Sequence, residues 1–137
     1  MLEETIGLSD AKKMLSAAEA KAESLGIAYN VAVVDAGGHL VAFIRQDRGL
    51  IGSIDLAIKK AITARLFDKT TDYLATLSQP GKPLFGIHES NRGDVVIFGG
   101  GIPVVRGGQV IGAVGASSGS VEQDIAVAEA AIAAIAS

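Results

Sequence analysis

The stretch VVDAGGHLVAF, residues 33–43, decides how this sequence is interpreted. Two strand-like runs, 31–35 and 40–45, meet at the pair Gly37-Gly38. A glycine pair between such runs predicts a type I′ hairpin, because that turn needs positive φ at both of its central residues. The sequence therefore predicts two adjacent antiparallel strands here, with His39 just past the turn.

A two-residue loop would place Val34 opposite Val41 and Val33 opposite Ala42. Apolar side chains then occupy both faces of the hairpin. Sheets that are apolar on both faces are covered on both sides, whereas many antiparallel sheets leave one face in water. We therefore expect helices to pack on each face of this sheet.

The remaining elements follow from periodicity and end signals. Apolar residues at helical or strand spacing predict helices over 9–25, 53–66, 70–78 and 120–136, and strands over 94–98, 102–105 and 109–116. Capping residues are expected at Ser9, Ser53, Thr70 or Thr71 and Ser120, the last with Gln123 in a capping box, and Gly26 is expected to end the first helix. Residues 79–93 form the longest irregular stretch. Both groups of strands are joined by hairpins, which indicates an α+β fold with an antiparallel sheet.

Composition narrows the function classes. The chain has 137 residues and no cysteine, which favours one domain over residues 1–137 and excludes disulfides and thiolate sites. A net charge of −3 argues against nucleic-acid binding, and no export signal or membrane span is recognised, so a cytoplasmic protein is expected. Hydrophobic residues make up 49% of the chain but aromatic residues only 4%. Such a chain has more apolar surface than one small core hides, which predicts a homo-oligomer.

Two histidines, His39 and His88, are the only candidates for an imidazole ligand or an acid–base group near neutral pH. Each also suits an ordinary position in a turn or a solvated loop. Lys59 and Lys60 lie on the second helix among apolar residues, so at least one is expected near the buried side, with its charged end either in a cleft or in solvent.

Two glycine-rich or hydroxyl-rich stretches invite a ligand interpretation. Residues 98–108, FGGGIPVVRGG, lack the spacing of a phosphate loop or dinucleotide fingerprint. The glycines are instead expected to let the strands bend or to let the backbone come close to a neighbour or a ligand. Residues 115–124, GASSGSVEQD, begin a helix and could hold an anion, but capping by Ser120 accounts for them.

The segments VAVVDAGGHLVAFIRQD, AIKKAITARLF, FGGGIPVVRGGQVIGAVGASSG and EQD occur in an order that resembles the GlcG/HbpS family. This family includes the C-terminal domain of PduO-type corrinoid adenosyltransferases. The resemblance runs from about Leu8 to Ala134. It implies a profilin-like fold, with a five-stranded antiparallel sheet, helices on both faces and assembly into oligomers. Some members bind haem.

Matching positions transfer this resemblance to particular residues. The hairpin motif falls on residues 35–39, the lysine motif on Lys60, and the glycine–proline stretch on Gly100, Gly101 and Pro103. The resemblance implies a cytoplasmic accessory protein that binds haem or a related small ligand in a cleft between sheet and helix. The residues expected around that ligand are His39 or His88 as iron ligand, Lys60, Arg65 or Arg92 near the propionates, and Gly100, Gly101 and Pro103.

Two other functions stay open from the sequence. One is an enzyme that moves a proton on a small organic acid, with Asp35, Lys60, His88 and Glu122 as the reacting groups beneath the 79–93 segment. The other is a non-catalytic oligomeric partner of a metabolic enzyme. A binding role without catalysis is the favoured interpretation, because no pair of catalytic carboxylates or nucleophile–base spacing is recognisable.

Overall fold

The computed structural model of the protein describes residues 4–136. They form an α+β fold whose helices and strands alternate in groups. In chain order the elements are α1 (Leu8–Leu25), β1 (Asn30–Asp35), β2 (Leu40–Arg45), α2 (Gly52–Phe67), α3 (Thr71–Ser78), β3 (Gly101–Arg106), β4 (Gln109–Ser117) and α4 (Val121–Ala133), with short 3₁₀ turns at Ile87–Glu89 and Asn91–Gly93. No helix within 4–136 is long and apolar enough to cross a membrane.

The sheet has the strand order β2-β1-β4-β3, and all three pairings are antiparallel. The strand β1 lies in the middle and pairs with both β2 and β4. The hairpin β1–β2 and the hairpin β3–β4 are therefore joined through the pairing of β1 with β4. This pairing places the first residues of β1 and β3 and the last residues of β4 at the same end of the sheet.

Helices cover both faces, as the two apolar faces of the hairpin predict. On one face α1 and α4 pack over a core that includes Val31 and Val33 of β1. On the other face α2 packs over a smaller core that includes Ala32 and Val34. The side chains that α2 places on the sheet are small (Ala57, Ala61 and Ala64), so the helix axis lies close to the strands.

The predicted fifth strand is wrong. Residues 94–98 are not part of the sheet, although Val95 and Val96 are buried. The Thr63 hydroxyl accepts from the Val96 amide at 3.0 Å and donates to the Asp94 carbonyl at 3.1 Å. The segment thus bonds to a side chain of α2 instead of a strand. Its apolar run is buried against a helix, a situation that produces the same local pattern as a buried strand.

The predicted type I′ turn is also wrong. The Gly38 amide donates to the Asp35 carbonyl, which makes Ala36 and Gly37 the central residues, and only Gly38 has positive φ, at +81°. A turn followed by a left-handed glycine produces a bulge in the hairpin. Val33 still faces Ala42 as predicted, but beyond the bulge Val34 faces Leu40, not Val41.

Helix ends were predicted with mixed success. The caps at Thr70 and Ser120 are confirmed, the second as a complete capping box with Gln123, and Gly26 ends α1 in the left-handed conformation. Ser9 and Ser53 are not N-caps: α1 and α2 each begin one residue earlier and have no side-chain cap. The Ser53 hydroxyl instead lies 3.1 Å from that of Ser117, so it contributes to a buried polar contact between α2 and β4.

Candidate functional site

A buried ion pair joins α2 to α4 beside the C-terminal end of β4. Lys60 Nζ donates to Asp124 Oδ2 at 2.8 Å and to the Ala116 carbonyl at 3.0 Å. The Lys60 side chain is 0% exposed and that of Asp124 is 5% exposed. Charged groups are almost never buried to this degree without a partner. The burial of each charge is possible here because the other charge compensates for its lost contact with water.

Asp124 is held by further donors on its second oxygen. Tyr29 donates its hydroxyl to Oδ1 at 2.7 Å, and the amide of Gly119 donates at 3.0 Å. The amide of Ser118 is 3.3 Å from the same oxygen. Four donors therefore converge on one carboxylate in the first turns of α4, where the helix dipole also favours a negative charge.

Burial determines the titration behaviour of this cluster. Removal from water lowers the pKa of Lys60 below its ordinary value of 10.5, and the contact with Asp124 opposes that effect without cancelling it. Burial together with the hydrogen bond to Asp124 raises the pKa of the Tyr29 hydroxyl. Desolvation is the largest cause of both shifts, whereas the shared carboxylate adds to the shift of Tyr29 and opposes that of Lys60.

Glycines make the close approach of Lys60 to the sheet feasible. A Cβ on Gly100 would lie 2.7 Å from Lys60 Nζ and 2.6 Å from the Ala116 carbonyl oxygen. Cβ atoms on Gly101 or Gly115 would overlap the backbone of α2. For Gly100 and Gly101 this arrangement agrees with one of the predicted alternatives, a close approach of the backbone to a neighbour.

Near this cluster lies a cleft that we name the His88 cleft. It is a cavity of about 360 Å³ between α2 and the segment 88–98, with apolar walls that include Leu56, Ile97 and Phe98. Lys59 lines it and pairs with Asp55 at 3.1 Å.

The imidazole in this cleft lacks one hydrogen bond. His88 Nδ1 is buried and has no hydrogen-bond partner among residues 4–136, and Nε2 lies 3.9 Å from Glu89 Oε1. The Phe85 ring packs edge-on against the imidazole, with 6.0 Å between the ring centroids. A buried polar atom without a partner is uncommon and calls for an explanation, such as an ordered water or a ligand.

A second cavity, which we name the α4 cavity, lies beside the glycines that contact Lys60. It has a volume of about 410 Å³ and lies between the start of α3, β3 and α4. Its walls are mostly apolar and include Ile102, Ile125 and Ile132, and its polar lining residues are Thr70, Asp72 and Glu129. Gly100 and Gly101 line it as well.

The predicted site residues separate into three places. Lys60, Gly100 and Gly101 come together at the ion pair, and His88 lies in the neighbouring cleft, whose Phe98 ring is centred 5.0 Å from Lys60 Nζ. The other predicted positions lie apart.

Pro103 lies on β3 opposite Ala113, outside the lining of both cavities. His39 sits at the hairpin turn with its side chain 82% exposed, 3.6 Å from Asp35. The turn lies at the opposite end of the sheet from Gly101, because Asp35 pairs with Gly112 near the start of β4.

The charged residues that were predicted for ligand contact occupy different positions. Arg65 donates to the Ala36 carbonyl and to Asp68, and Arg92 lies on a separate groove beside the end of α2. The acid–base set proposed for an organic-acid enzyme is not assembled: Asp35 is at the hairpin and Glu122 is exposed in the first turn of α4.

Sequence reasoning missed Asp124 and Tyr29 as members of the cluster. A signal for Asp124 was present, because it precedes Val127 and Ala131 at the spacing of the buried stripe of α4. Lys60 likewise lies between Ala57 and Ala64 on the buried stripe of α2. A charge of each sign within a buried stripe predicts that the two meet.

Comparisons with known proteins agree with this architecture. A curated protein of Citrobacter freundii, an uncharacterized 15.0 kDa protein in the dhaT-dhaS intergenic region, is 44% identical over 128 residues, covering 93% of this chain and 90% of that protein. Protein GlcG of Escherichia coli K12 is 33% identical over 107 residues, 78% of this chain and 77% of that one. The corrinoid adenosyltransferase PduO of C. freundii is 39% identical over 131 residues, which are 96% of this chain but only 39% of PduO.

Two solved structures share the fold over nearly the whole chain. The crystal structure of a PduOC:heme complex has a TM-score of 0.92 and 40% identity, covering 95% of this chain and 94% of that one. The crystal structure of HbpS has a TM-score of 0.89 and 27% identity, covering all of this chain and 94% of that one. A family model described as haem degrading protein HbpS-like matches residues 6–133, and the chain therefore belongs to the HbpS-like family.

Proposed function

We propose that this protein binds haem in the His88 cleft, with the His88 imidazole as the iron ligand. The observation that carries the proposal is that His88 lines an apolar cleft while its buried Nδ1 has no hydrogen-bond partner among the described residues. The similarity to a protein solved as a haem complex supports haem as the ligand.

The residues of the cleft fit the chemistry of haem. Leu56, Ile97 and Phe98 offer apolar surface to a porphyrin, and ligand cavities are generally apolar with few polar anchors. Lys59 supplies a cation for a propionate, a role that the buried Lys60 is less suited to. If bound, haem would supply an iron atom, and the His88 imidazole would be the residue that holds it. In this arrangement His88, Lys59 and the apolar walls of the cleft orient the haem. His39, at the hairpin on the opposite end of the sheet, does not contact it.

The test is a titration of the purified protein with haemin, followed through the Soret absorbance. We expect a saturable, sharpened band for the wild type and its loss in His88→Ala, while His39→Ala, the matched control, binds like the wild type. Iron-free protoporphyrin separates iron ligation from apolar fit, because it should bind wild type and His88→Ala equally.

Either of two results would contradict the proposal. A broad rise without saturation in all three proteins would indicate nonspecific adsorption. Loss of the band in His39→Ala alone would move the iron to the hairpin.

We also propose that the chain self-associates, since large apolar side chains remain exposed. Ile51 is 79% exposed, and Leu50, Phe85 and Val105 are each more than half exposed. Light scattering after gel filtration should report a mass of at least two chains for the wild type, and Ile51→Glu should reduce it if this surface contributes. A monomer at all concentrations would refute self-association.

A further inference from the structure

The Lys60 amine is a buried nucleophilic group that haem binding in the His88 cleft does not use. Its neighbours are Asp124, the Ala116 carbonyl and the face of the Phe98 ring. A lysine in apolar surroundings has a lowered pKa, because burial disfavours the charged form, and such lysines are typical of imine-forming sites.

The amine lies directly behind a wall of the α4 cavity. Gly100 contributes backbone to that wall, and a Cβ on it would lie 2.7 Å from Lys60 Nζ. Gly99, Gly100 and Gly101 form an uninterrupted glycine run, whose backbone adopts many conformations at little steric cost. The Ala116 amide donates to the Gly100 carbonyl and the Gly101 amide donates to the Thr71 hydroxyl, both at 2.9 Å. Gly101 also begins β3, where it pairs with Gly115.

The lining of the α4 cavity selects against anions. Asp72 and Glu129 are its charged residues, and neither lysine nor arginine lines it. A carboxylate would be repelled there, whereas a small neutral molecule with an aliphatic chain would contact Ile102, Ile125 and Ile132. The ligand class that this chemistry favours is a neutral aliphatic aldehyde.

We propose that Lys60 forms an imine with a small aliphatic aldehyde that enters through the α4 cavity when the Gly99–Gly101 run moves aside. The ammonium first transfers a proton to Asp124. The amine nitrogen then attacks the carbonyl carbon, a C–N bond forms, and the carbonyl oxygen takes up protons and leaves as water. Overall, ammonium and aldehyde become a protonated imine and one molecule of water, so atoms and charge balance.

The surroundings of the pair suit this sequence of proton transfers. The protonated imine keeps its positive charge beside Asp124, so the buried carboxylate is not left without a cation. Tyr29 and the Gly119 amide hold the other carboxylate oxygen in place, leaving Oδ2 to exchange the proton. The inference concerns a different cavity from the haem proposal and does not depend on it.

The experiment treats the native full chain with butanal and sodium cyanoborohydride, which reduces an imine to a stable secondary amine. A protease that cleaves after acidic residues leaves Lys59 and Lys60 on the same peptide. Fragment ions in tandem mass spectrometry then show which of the two lysines is alkylated. We expect alkylation of Lys60 to saturate with butanal, whereas its neighbour Lys59, whose side chain is 30% exposed, reacts in proportion to concentration. Succinic semialdehyde, which adds a carboxylate to the same chain length, should label Lys60 about tenfold more slowly.

Two cavity-filling variants test the route of entry. Ile125→Trp narrows the α4 cavity and should slow labelling of Lys60 severalfold, while Leu56→Trp, which narrows the His88 cleft, should not. Circular dichroism confirms that each variant is folded, and labelling in urea shows that the Lys60 peptide is detected. The proposal is overturned if Lys60 is labelled only in urea, if its labelling does not saturate, or if Leu56→Trp is the variant that slows it.

Discussion

Removing either member of the Lys60–Asp124 pair should destabilise the protein, but by different amounts. Asp124→Leu leaves the Lys60 amine with only the Ala116 carbonyl and removes the acceptor of Tyr29. Breaking a buried ion pair in this way costs about 3–5 kcal/mol, and the value here should fall at the upper end. Lys60→Met leaves Asp124 with its tyrosine and amide donors, so its cost should be only about 1–2 kcal/mol.

The assay is urea denaturation with a matching thermal scan. At about 4 °C per kcal/mol for a domain of this size, a cost at the upper end of that range should lower the Tm of Asp124→Leu by roughly 16–20 °C. The double variant should be more stable than Asp124→Leu alone, because it leaves no buried charge unpaired. Lys59→Met is the matched control: the side chains of its partners Asp55 and Asp94 are 68% and 39% exposed, and the loss should stay below about 1 kcal/mol.

The pH dependence provides an independent check. The pKa of Lys60 is lower in the folded protein than the ordinary 10.5, so the unfolded chain binds this proton more strongly. The wild type should therefore gain stability relative to Lys60→Met as pH rises towards 10.5.

Equal losses of stability for Lys60→Met and Asp124→Leu, or losses below about 1 kcal/mol for both, would refute the ion-pair reasoning.

Three further predictions concern single contacts. Tyr29→Phe should cost about 1.5–3 kcal/mol for the lost bond to a buried carboxylate. Since the pKa of Tyr29 is raised above 10.0 in the folded protein, the wild type's advantage over Tyr29→Phe should decline above pH 10 in urea titrations, and a constant difference would contradict this. Gly115→Ala should cost about 1–3 kcal/mol or more of stability, because the added Cβ would overlap the backbone of α2. Gly52→Ala has open space around it and should be neutral or slightly stabilising. Thermal unfolding of both variants distinguishes the steric effect from the conformational one. Ser120→Ala should cost about 1 kcal/mol through loss of the capping box, and Ser9→Ala should change Tm little because its hydroxyl caps no helix; an equal change in the two would disprove the assignment of caps.

The sequence predicted helix ends correctly where they depend only on neighbouring residues. The caps at Thr70 and Ser120 and the left-handed stop at Gly26 were predictable, because each depends on neighbours within a few residues. The caps at Ser9 and Ser53 were not. At Ser53 the hydroxyl bonds to Ser117, a competing partner that is distant in the sequence.

The candidate site was only partly predictable for the same reason. Lys60 and His88 were identified as candidates, and the structure places both near cavities. The partner of Lys60 is 64 positions away, and that of Tyr29 is 95 positions away; both partners are Asp124. The buried stripes of α2 and α4 mark Lys60 and Asp124 as buried charges, but the neighbours of Lys60 in the sequence do not show that these two helices meet.

The sequence by itself determined the α+β class, a sheet covered on both faces and membership in the family, because apolar periodicity and motif order are properties of the chain alone. Only the tertiary structure decided that residues 94–98 lie against α2 and not in the sheet, since a buried apolar run looks the same in either place. It also decided that Lys60 and Asp124 neutralise each other. Burial and partner choice depend on how distant segments pack, which is why these features required the folded chain.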